Sequence, residues 1–264
     1  MATNRIIKAK DRKIAPPRIL IYGQEGIGKT TFAMQAPNPI FIQTENGFGN
    51  RPPRDAFPVV KSYDEFLQDL DELICEDLGY RTLVVDHIDL VEHMMQIVEI
   101  QESNAPGVDA VKNGRQVKTI RQAAGGFNNG VEAVRNRLLD EVVPRLNVLW
   151  EQRRMVVILL SHCSIEKFKT PEEEYKNYAP SMERSFSEVL TQWADCVFFA
   201  KAQSRHGGER RLYCQPTARY FAKSRYFNDE FIPIDYDSFR ECCIKGKETY
   251  WQNAQNLNEK EEEK

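Results

Sequence analysis

The sequence predicts an α/β fold: a mainly parallel central sheet with helices on both faces and a β-hairpin region near the C-terminus. Residues 23–30 read Gly-Gln-Glu-Gly-Ile-Gly-Lys-Thr, a complete G-x-x-x-x-G-K-T phosphate loop between a β-prone apolar run and a helix-compatible one. Strand-like runs then alternate with helical patterns as far as residue 201. Those runs are continuously apolar rather than alternating, as strands buried on both faces must be.

Residues 1–17 are polar and basic, end in Pro16-Pro17, and read as an arm before a domain spanning 18–250. Strand one is expected over 18–22 and its helix over 29–36, stopped by Pro37 and Pro39. Ile40-Phe41-Ile42 is a second strand, and 46–56 is a loop on its turn chemistry. Ser62 with Glu65 is a capping-box signature that opens a helix to about 78. Residues 81–86 read as a buried strand ending in an acid, followed by a helix over 89–102. Residues 103–130 hold Pro106, five glycines and four cations, and read as a long mobile loop. Val131, Val134, Leu138, Val142, Leu146 and Leu149 recur at helical spacing, with a kink or break expected at Pro144. The most apolar strand follows at 154–162, then a charged loop at 164–183, a short helix at 186–193 and a strand at 195–201. Gly207-Gly208 is a hairpin signal, 236–246 a last helix, and 251–264 an acidic tail expected to be disordered.

The chain has 264 residues, 41% of them hydrophobic, enough for a substantial core. Its net charge of −3 excludes a polycation, so any nucleic-acid contact must come from local basic segments. No apolar run approaches the roughly 18 residues of a membrane span, and no secretory h-region is visible at the N-terminus. Cys75, Cys163, Cys196, Cys214, Cys242 and Cys243 form no C-x-x-C pair. They read as packing residues in a reducing cytoplasm.

The phosphate loop points to ATP with Mg²⁺. Backbone N–H groups of Gly23, Gln24, Glu25, Gly26, Ile27, Gly28, Lys29, Thr30 and Thr31 can wrap phosphate oxygens at the start of a helix. Lys29 is expected to reach the β- and γ-phosphates, and the Thr30 hydroxyl to ligate Mg²⁺. Asp86, ending its apolar strand, is the expected acid opposite Thr30 on the metal; the alternative is a helix cap. Position 87 is His, where many ATPases carry the water-activating Glu. Glu45, after the second strand, is therefore the expected base, and Asp89 the next candidate. His162, at the end of its strand, is expected to sense the γ-phosphate; the alternative is a satisfied strand-end His.

The order Gly-Gln-Glu-Gly-Ile-Gly-Lys-Thr-Thr, Phe41-Ile42-Gln43-Thr44-Glu45, Leu83-Val84-Val85-Asp86 and Leu159-Leu160-Ser161-His162 resembles the RecA-type P-loop ATPase core. Within it, the chain is most similar to phage-encoded single-domain members linked to single-strand annealing and recombination. The resemblance covers roughly 18–235 and implies that Glu45 is catalytic. It implies that subunits assemble as a ring or filament, with Lys223 and Arg225 of one neighbour completing the next ATP site. The alternative for that pair is a solvated basic strand end. It also implies that 103–130 and 164–183 contact single-stranded DNA. Gln43 departs from the Asp that recombinases often carry, and a helicase-type N-terminal domain is not expected, which argues against a hexameric replicative helicase.

The loops suit that role by composition. Lys112, Arg115, Lys118 and Arg121 have no nearby acid after Asp109, and Phe127 lies among glycines as a base-stacking ring. The second loop adds Lys167 and Lys169 among aromatics, but also Glu172, Glu173 and Glu174. Either loop could equally be a solvated charged segment. The expected function is thus a DNA-stimulated ATPase acting on single-stranded DNA in recombination, annealing or repair, in the bacterial host cytoplasm if phage-encoded. A single-strand-binding or replisome protein is a further expected partner. The alternatives are an ATP-ordered annealing module with incidental turnover, or an ATP-dependent loader for a replisome protein.

Overall fold

The computed structural model describes residues 15–47, 49, 54–106, 116–169, 174–203 and 208–248. The expected basic arm up to residue 14 and the acidic tail lie outside the described residues. So do Lys112 and Arg115.

The expected α/β class is observed. Strands β1 (Arg18–Gly23), β2 (Pro39–Gln43), β3 (Asp55–Ala56), β4 (Thr82–Asp86), β5 (Val156–Ser161) and β8 (Cys196–Ala202) pair in parallel in the order β8-β1-β5-β4-β2-β3. Antiparallel β9 (Arg210–Tyr213) and β11 (Phe231–Pro233) extend the sheet beyond β8, and β10 (Lys223–Ser224) pairs the start of β8. β8 and β9 form the hairpin expected from Gly207-Gly208.

One face is covered by α2 (Tyr63–Cys75), α3 (Ile88–Ser103), α4 (Asn129–Arg137), α5 (Val143–Glu151) and α6 (Arg184–Trp193), which bury Phe66, Leu70, Val91, Val134, Leu146 and Leu190 against it. The other face is covered by α1 (Lys29–Met34) and a last helix, α7, over 236–248. Phe32, Tyr236 and Phe239 meet there over Phe198. No helix among the described residues is long and apolar enough to cross a membrane.

Local chemistry accounts for the boundaries. At α2, the Glu65 N–H donates to Ser62 Oγ at 3.2 Å, and Glu65 Oε2 accepts the Lys61 N–H at 2.6 Å, one residue before the usual capping-box partner. Pro144 has no N–H to close the preceding turn. The α-helix is interrupted just before it by a π-helical turn over Leu138–Val142, and α5 starts afresh with the proline in its first turn, so the interruption expected at Pro144 falls immediately ahead of it.

Three expectations are corrected. Residues 55–56 of the expected loop form β3, because they extend the parallel register beyond Ile40 and Phe41. Much of 116–130 is held against the core rather than loose: Val117, Ile120 and Ala123 are buried. The Asn104 amide also grips both backbone groups of Val117, at 2.8 and 2.9 Å. The expected loop at 164–183 is largely replaced by strands among its described residues. Most form an antiparallel ribbon, β6 (Cys163–Lys169) with β7 (Glu174–Pro180), separate from the main sheet.

Parallel register determines the site. Tyr22 lies beside Ser161, Leu160 beside Asp86, and Asp86 beside Gln43. The segments after β1, β5, β4 and β2 therefore leave the sheet at one edge, at the carboxyl ends of the strands.

Candidate active site

The phosphate loop leaves β1 at Gly23, where backbone packs so closely that an added Cβ would lie 2.5 Å from the Ala200 carbonyl oxygen. It enters α1 through Gly28 at φ 117°, a conformation that L side chains rarely adopt. Lys29 is buried, and its Nζ donates to the carbonyls of Gly23 at 2.9 Å and Gln24 at 3.2 Å. Burial lowers its pKa, against the raising influence of Asp86 and Asp89. Gln24, Glu25 and Gly26 are exposed on the loop and Thr31 is exposed in the first turn of α1, while Ile27 is buried in the core.

The Thr30 hydroxyl donates to Asp86 Oδ2 at 3.0 Å. This contact joins the start of α1 to the end of β4 across the intervening β5. Thr44 ties the ends of β2 and β4 together: its Oγ1 accepts the His87 N–H at 2.8 Å and donates to the Asp86 carbonyl at 3.2 Å. The two segments that leave the sheet there, carrying Glu45 and His87, are thereby held side by side.

His87 stands between two acids. Its Nε2 is 2.9 Å from Asp86 Oδ1, and its Nδ1 is 3.3 Å from Glu45 Oε1. Neither approach has hydrogen-bond geometry, and both Asp86 Oδ1 and His87 Nδ1 are buried without a hydrogen bond. The His162 ring packs 4.0 Å from that of His87. Its Nδ1 meets Asp89 Oδ2 at 2.7 Å, while Asp89 Oδ1 accepts the His162 N–H at 3.1 Å. Burial pushes the Asp89 carboxyl up, but the bonds and charge of His162 outweigh it and hold its pKa below the ordinary value. The same hydrogen bond raises His162. Glu25, Gly26, Gly28, Lys29, Thr30, Glu45, Gly47, His87 and His162 line a cleft of about 190 Å³.

The structure therefore gathers Lys29, Thr30, Asp86, Glu45 and His162. Sequence reasoning did not single out His87, passed over as a missing Glu, and gave Asp89 only a reserve role. The signal was the run Asp86-His87-Ile88-Asp89 at the end of a buried strand, which places three polar groups in one turn.

Lys223 and Arg225 are not in this cleft. β10 pairs with Cys196 and Val197, whereas Gly23 pairs with Ala200, three to four residues or roughly 10–13 Å further along β8. Arg225 Nη1 is 2.9 Å from Asp195 Oδ1, an acid that also holds Arg18 through two bonds of 3.0 and 2.9 Å. Lys223 Nζ reaches the Gln192 carbonyl at 3.5 Å.

Of the expected DNA contacts, Lys118 is exposed and Arg121 is paired. Arg121 Nη2 is 3.0 Å from Glu183 Oε1, and its Nη1 donates to Asn128 Oδ1 at 3.1 Å. The acid missing from its own stretch of sequence is supplied from 62 residues away. Phe127, beside Asn128, is 97% exposed. Lys167 and Lys169 belong to β6 by backbone; their side chains lie outside the described residues.

The family model described as AAA domain matches residues 15–226, which span every residue of the cleft. No curated protein matches the sequence. Among solved structures, the crystal structure of the RadB recombinase is similar over 85% of this chain and 90% of that chain, with 15% identity and a TM-score of 0.45.

Proposed function

The chain belongs to the AAA domain family of P-loop ATPases, and from that premise we propose that it hydrolyses Mg·ATP in this cleft and couples turnover to single-stranded DNA. The setting would be phage-type recombination, annealing or repair.

The residues present fit both nucleotide and ion. Lys29 brings a buried ammonium that, among the described residues, hydrogen-bonds to the Gly23 and Gln24 carbonyls and can turn to phosphate oxygens. Thr30 and Asp86 offer hydroxyl and carboxylate oxygens, the hard donors that suit Mg²⁺. A Mg²⁺ ion held there would neutralise charge on the phosphates. Glu45, half exposed at the rim, orients the attacking water and accepts its proton. His162, fixed by Asp89, presents its other ring nitrogen to the cleft and reads the γ-phosphate.

Lys223 and Arg225, remote from their own cleft, are assigned to a neighbouring subunit's site. Two cations reaching developing phosphate charge would stabilise the transition state. Lys118, Arg121 and exposed Phe127 form the DNA-facing edge, with Lys112, Arg115, Lys167 and Lys169 as further contacts. Two hydrogen bonds and one helical turn connect that edge with the Asp89–His162 pair. Asp89 and Glu92 lie one turn apart on α3, the Glu92 carboxylate accepts the Glu183 N–H at 3.1 Å, and the Glu183 carboxylate holds Arg121.

The observation that carries the reading is the 3.0 Å Thr30–Asp86 hydrogen bond beside Glu45 on one cleft. The test is phosphate release with and without single-stranded DNA, with and without Mg²⁺. Turnover that requires Mg²⁺ and rises with DNA is expected. Turnover indifferent to DNA, with no DNA affinity at low salt, would favour a loader that contacts protein.

A further inference from the structure

Beyond ATP chemistry, the geometry points to a second metal site in the cleft, a three-residue centre of Glu45, His87 and His162 suited to Zn²⁺ or a similar divalent transition metal. The three side chains each offer one ligand atom, and these atoms lie within 4.8 Å of one another. Glu45 Oε1 and His87 Nδ1 are already 3.3 Å apart. A tetrahedral ion with bonds of about 2.0–2.1 Å places its ligand atoms roughly 3.3 Å apart, so this pair needs no rearrangement.

Burial of His87 and the hydrogen bond on His162 leave one nitrogen of each imidazole available as a ligand. His87 is more than nine-tenths buried, and its Nδ1 faces Glu45 without making a hydrogen bond. Its other nitrogen lies 2.9 Å from Asp86 Oδ1. His162 gives Nδ1 to Asp89 at 2.7 Å, which leaves Nε2 for the cleft. His162 thus has a hydrogen-bonded carboxylate behind it, the outer-shell arrangement that fixes tautomer and orientation in metal-binding histidines, while His87 has the Asp86 carboxylate beside it without hydrogen-bond geometry. Two imidazoles and one carboxylate, with the fourth direction open to the cleft, are a donor set for Zn²⁺. Thr30 and Asp86 offer oxygen alone and suit Mg²⁺, so ligand chemistry separates the two ions. Zn²⁺ at this centre would occupy Glu45 and so oppose any reaction that uses Glu45 as a base.

The test needs no nucleotide and so stands apart from the ATPase reading. Chelator-treated full-length protein is titrated with Zn²⁺ against a chromophoric competitor, and with Co²⁺ while visible absorption is recorded. One equivalent is expected to bind with nitrogen and oxygen ligation. His87→Ala and His162→Ala should each lose that equivalent, while His93→Ala, which alters an exposed histidine outside the cluster, should keep it. Asp89→Asn should weaken binding about 10–100-fold through the outer shell. Circular dichroism identifies any variant that fails to fold, and His87→Gln and Glu45→Gln then serve as milder ligand deletions. Equal affinity in folded ligand variants would overturn the proposal. A thiolate-to-cobalt charge-transfer band as the sole signature would also overturn it, because the metal would then reside on cysteine.

Discussion

Asp89 holds His162 at two points, with one carboxylate oxygen on the ring Nδ1 and the other on the backbone N–H. The pair ties the end of β5 to the first turn of α3. It also means that Asp89 spends both oxygens on His162, so its place in the cleft is orientation rather than proton abstraction. Asp89→Asn should therefore leave Mg·ATP affinity near wild type and lower turnover about 10-fold, in line with losses of outer-shell partners elsewhere. Steady-state kinetics beside a calorimetric titration measures both. A variant that loses binding and turnover together would instead mark a structural role.

Glu92 couples stability to pH. It is buried, and desolvation pushes its carboxyl up to about 8 from an ordinary value of 4.5, despite the hydrogen bond from the Glu183 N–H. A carboxyl raised in the folded state carries no penalty below its ordinary pKa. The penalty grows as pH rises toward about 8, because the unfolded chain then holds fewer protons than the folded one. Glu92→Gln keeps an acceptor for Glu183 and removes the charge. Its melting temperature should fall less than that of the wild type between pH 5 and 8. Parallel melting curves across that range would refute the assignment.

Arg225 should act in trans. Arg225→Ala removes one of the two arginines paired with the buried Asp195, and Arg18 still satisfies that acid, so the fold should survive. Mixing Arg225→Ala with Lys29→Ala protein should restore part of the turnover that each lacks, since some interfaces then join an intact loop to an intact finger. Where such fingers have been measured, the effect is on the order of 10³–10⁵ in rate. No recovery at any ratio, in assemblies shown to exchange subunits, would remove the shared site.

Replacing Lys112, Arg115, Lys118 and Arg121 by Ala should weaken single-stranded DNA binding and flatten its salt dependence by about 0.7 per lost phosphate contact. Arg121 adds a specific expectation. It must leave Glu183 to meet a phosphate, so Glu183→Gln should strengthen DNA binding while basal ATP affinity holds. Fluorescence anisotropy across a salt series reads both. An unchanged slope in the quadruple variant would place the contact elsewhere.

What the sequence revealed follows from how local each signal is. The phosphate loop, its strand and its helix are contiguous, so Lys29 and Thr30 were legible, and Asp86 was legible as the acid ending a buried strand. Glu45 required only the register of β2 beside β4. The β6–β7 ribbon was hidden because its strands are charged and lie in a sequence that includes Glu172, Glu173 and Glu174, a composition that reads as loop. β3 was hidden because two residues carry no pattern. The Arg121–Glu183 and Asp195–Arg18 pairs join residues 62 and 177 apart, and no local reading finds them. His87 was overlooked because the expectation concerned what was missing at position 87 rather than what an imidazole between two carboxylates could do.

The central claim is that this cleft binds and turns over Mg·ATP with Lys29 on the phosphates and Glu45 on the water. Its most direct test is calorimetric titration of Mg·ATP into folded wild-type, Lys29→Ala and Glu45→Gln proteins, with phosphate release followed on the same samples. Lys29→Ala should show no measurable binding. Glu45→Gln should bind like the wild type and lose most turnover, about 10²–10⁴-fold for loss of a positioned base. Wild-type affinity in Lys29→Ala, or normal hydrolysis in Glu45→Gln, would contradict the account.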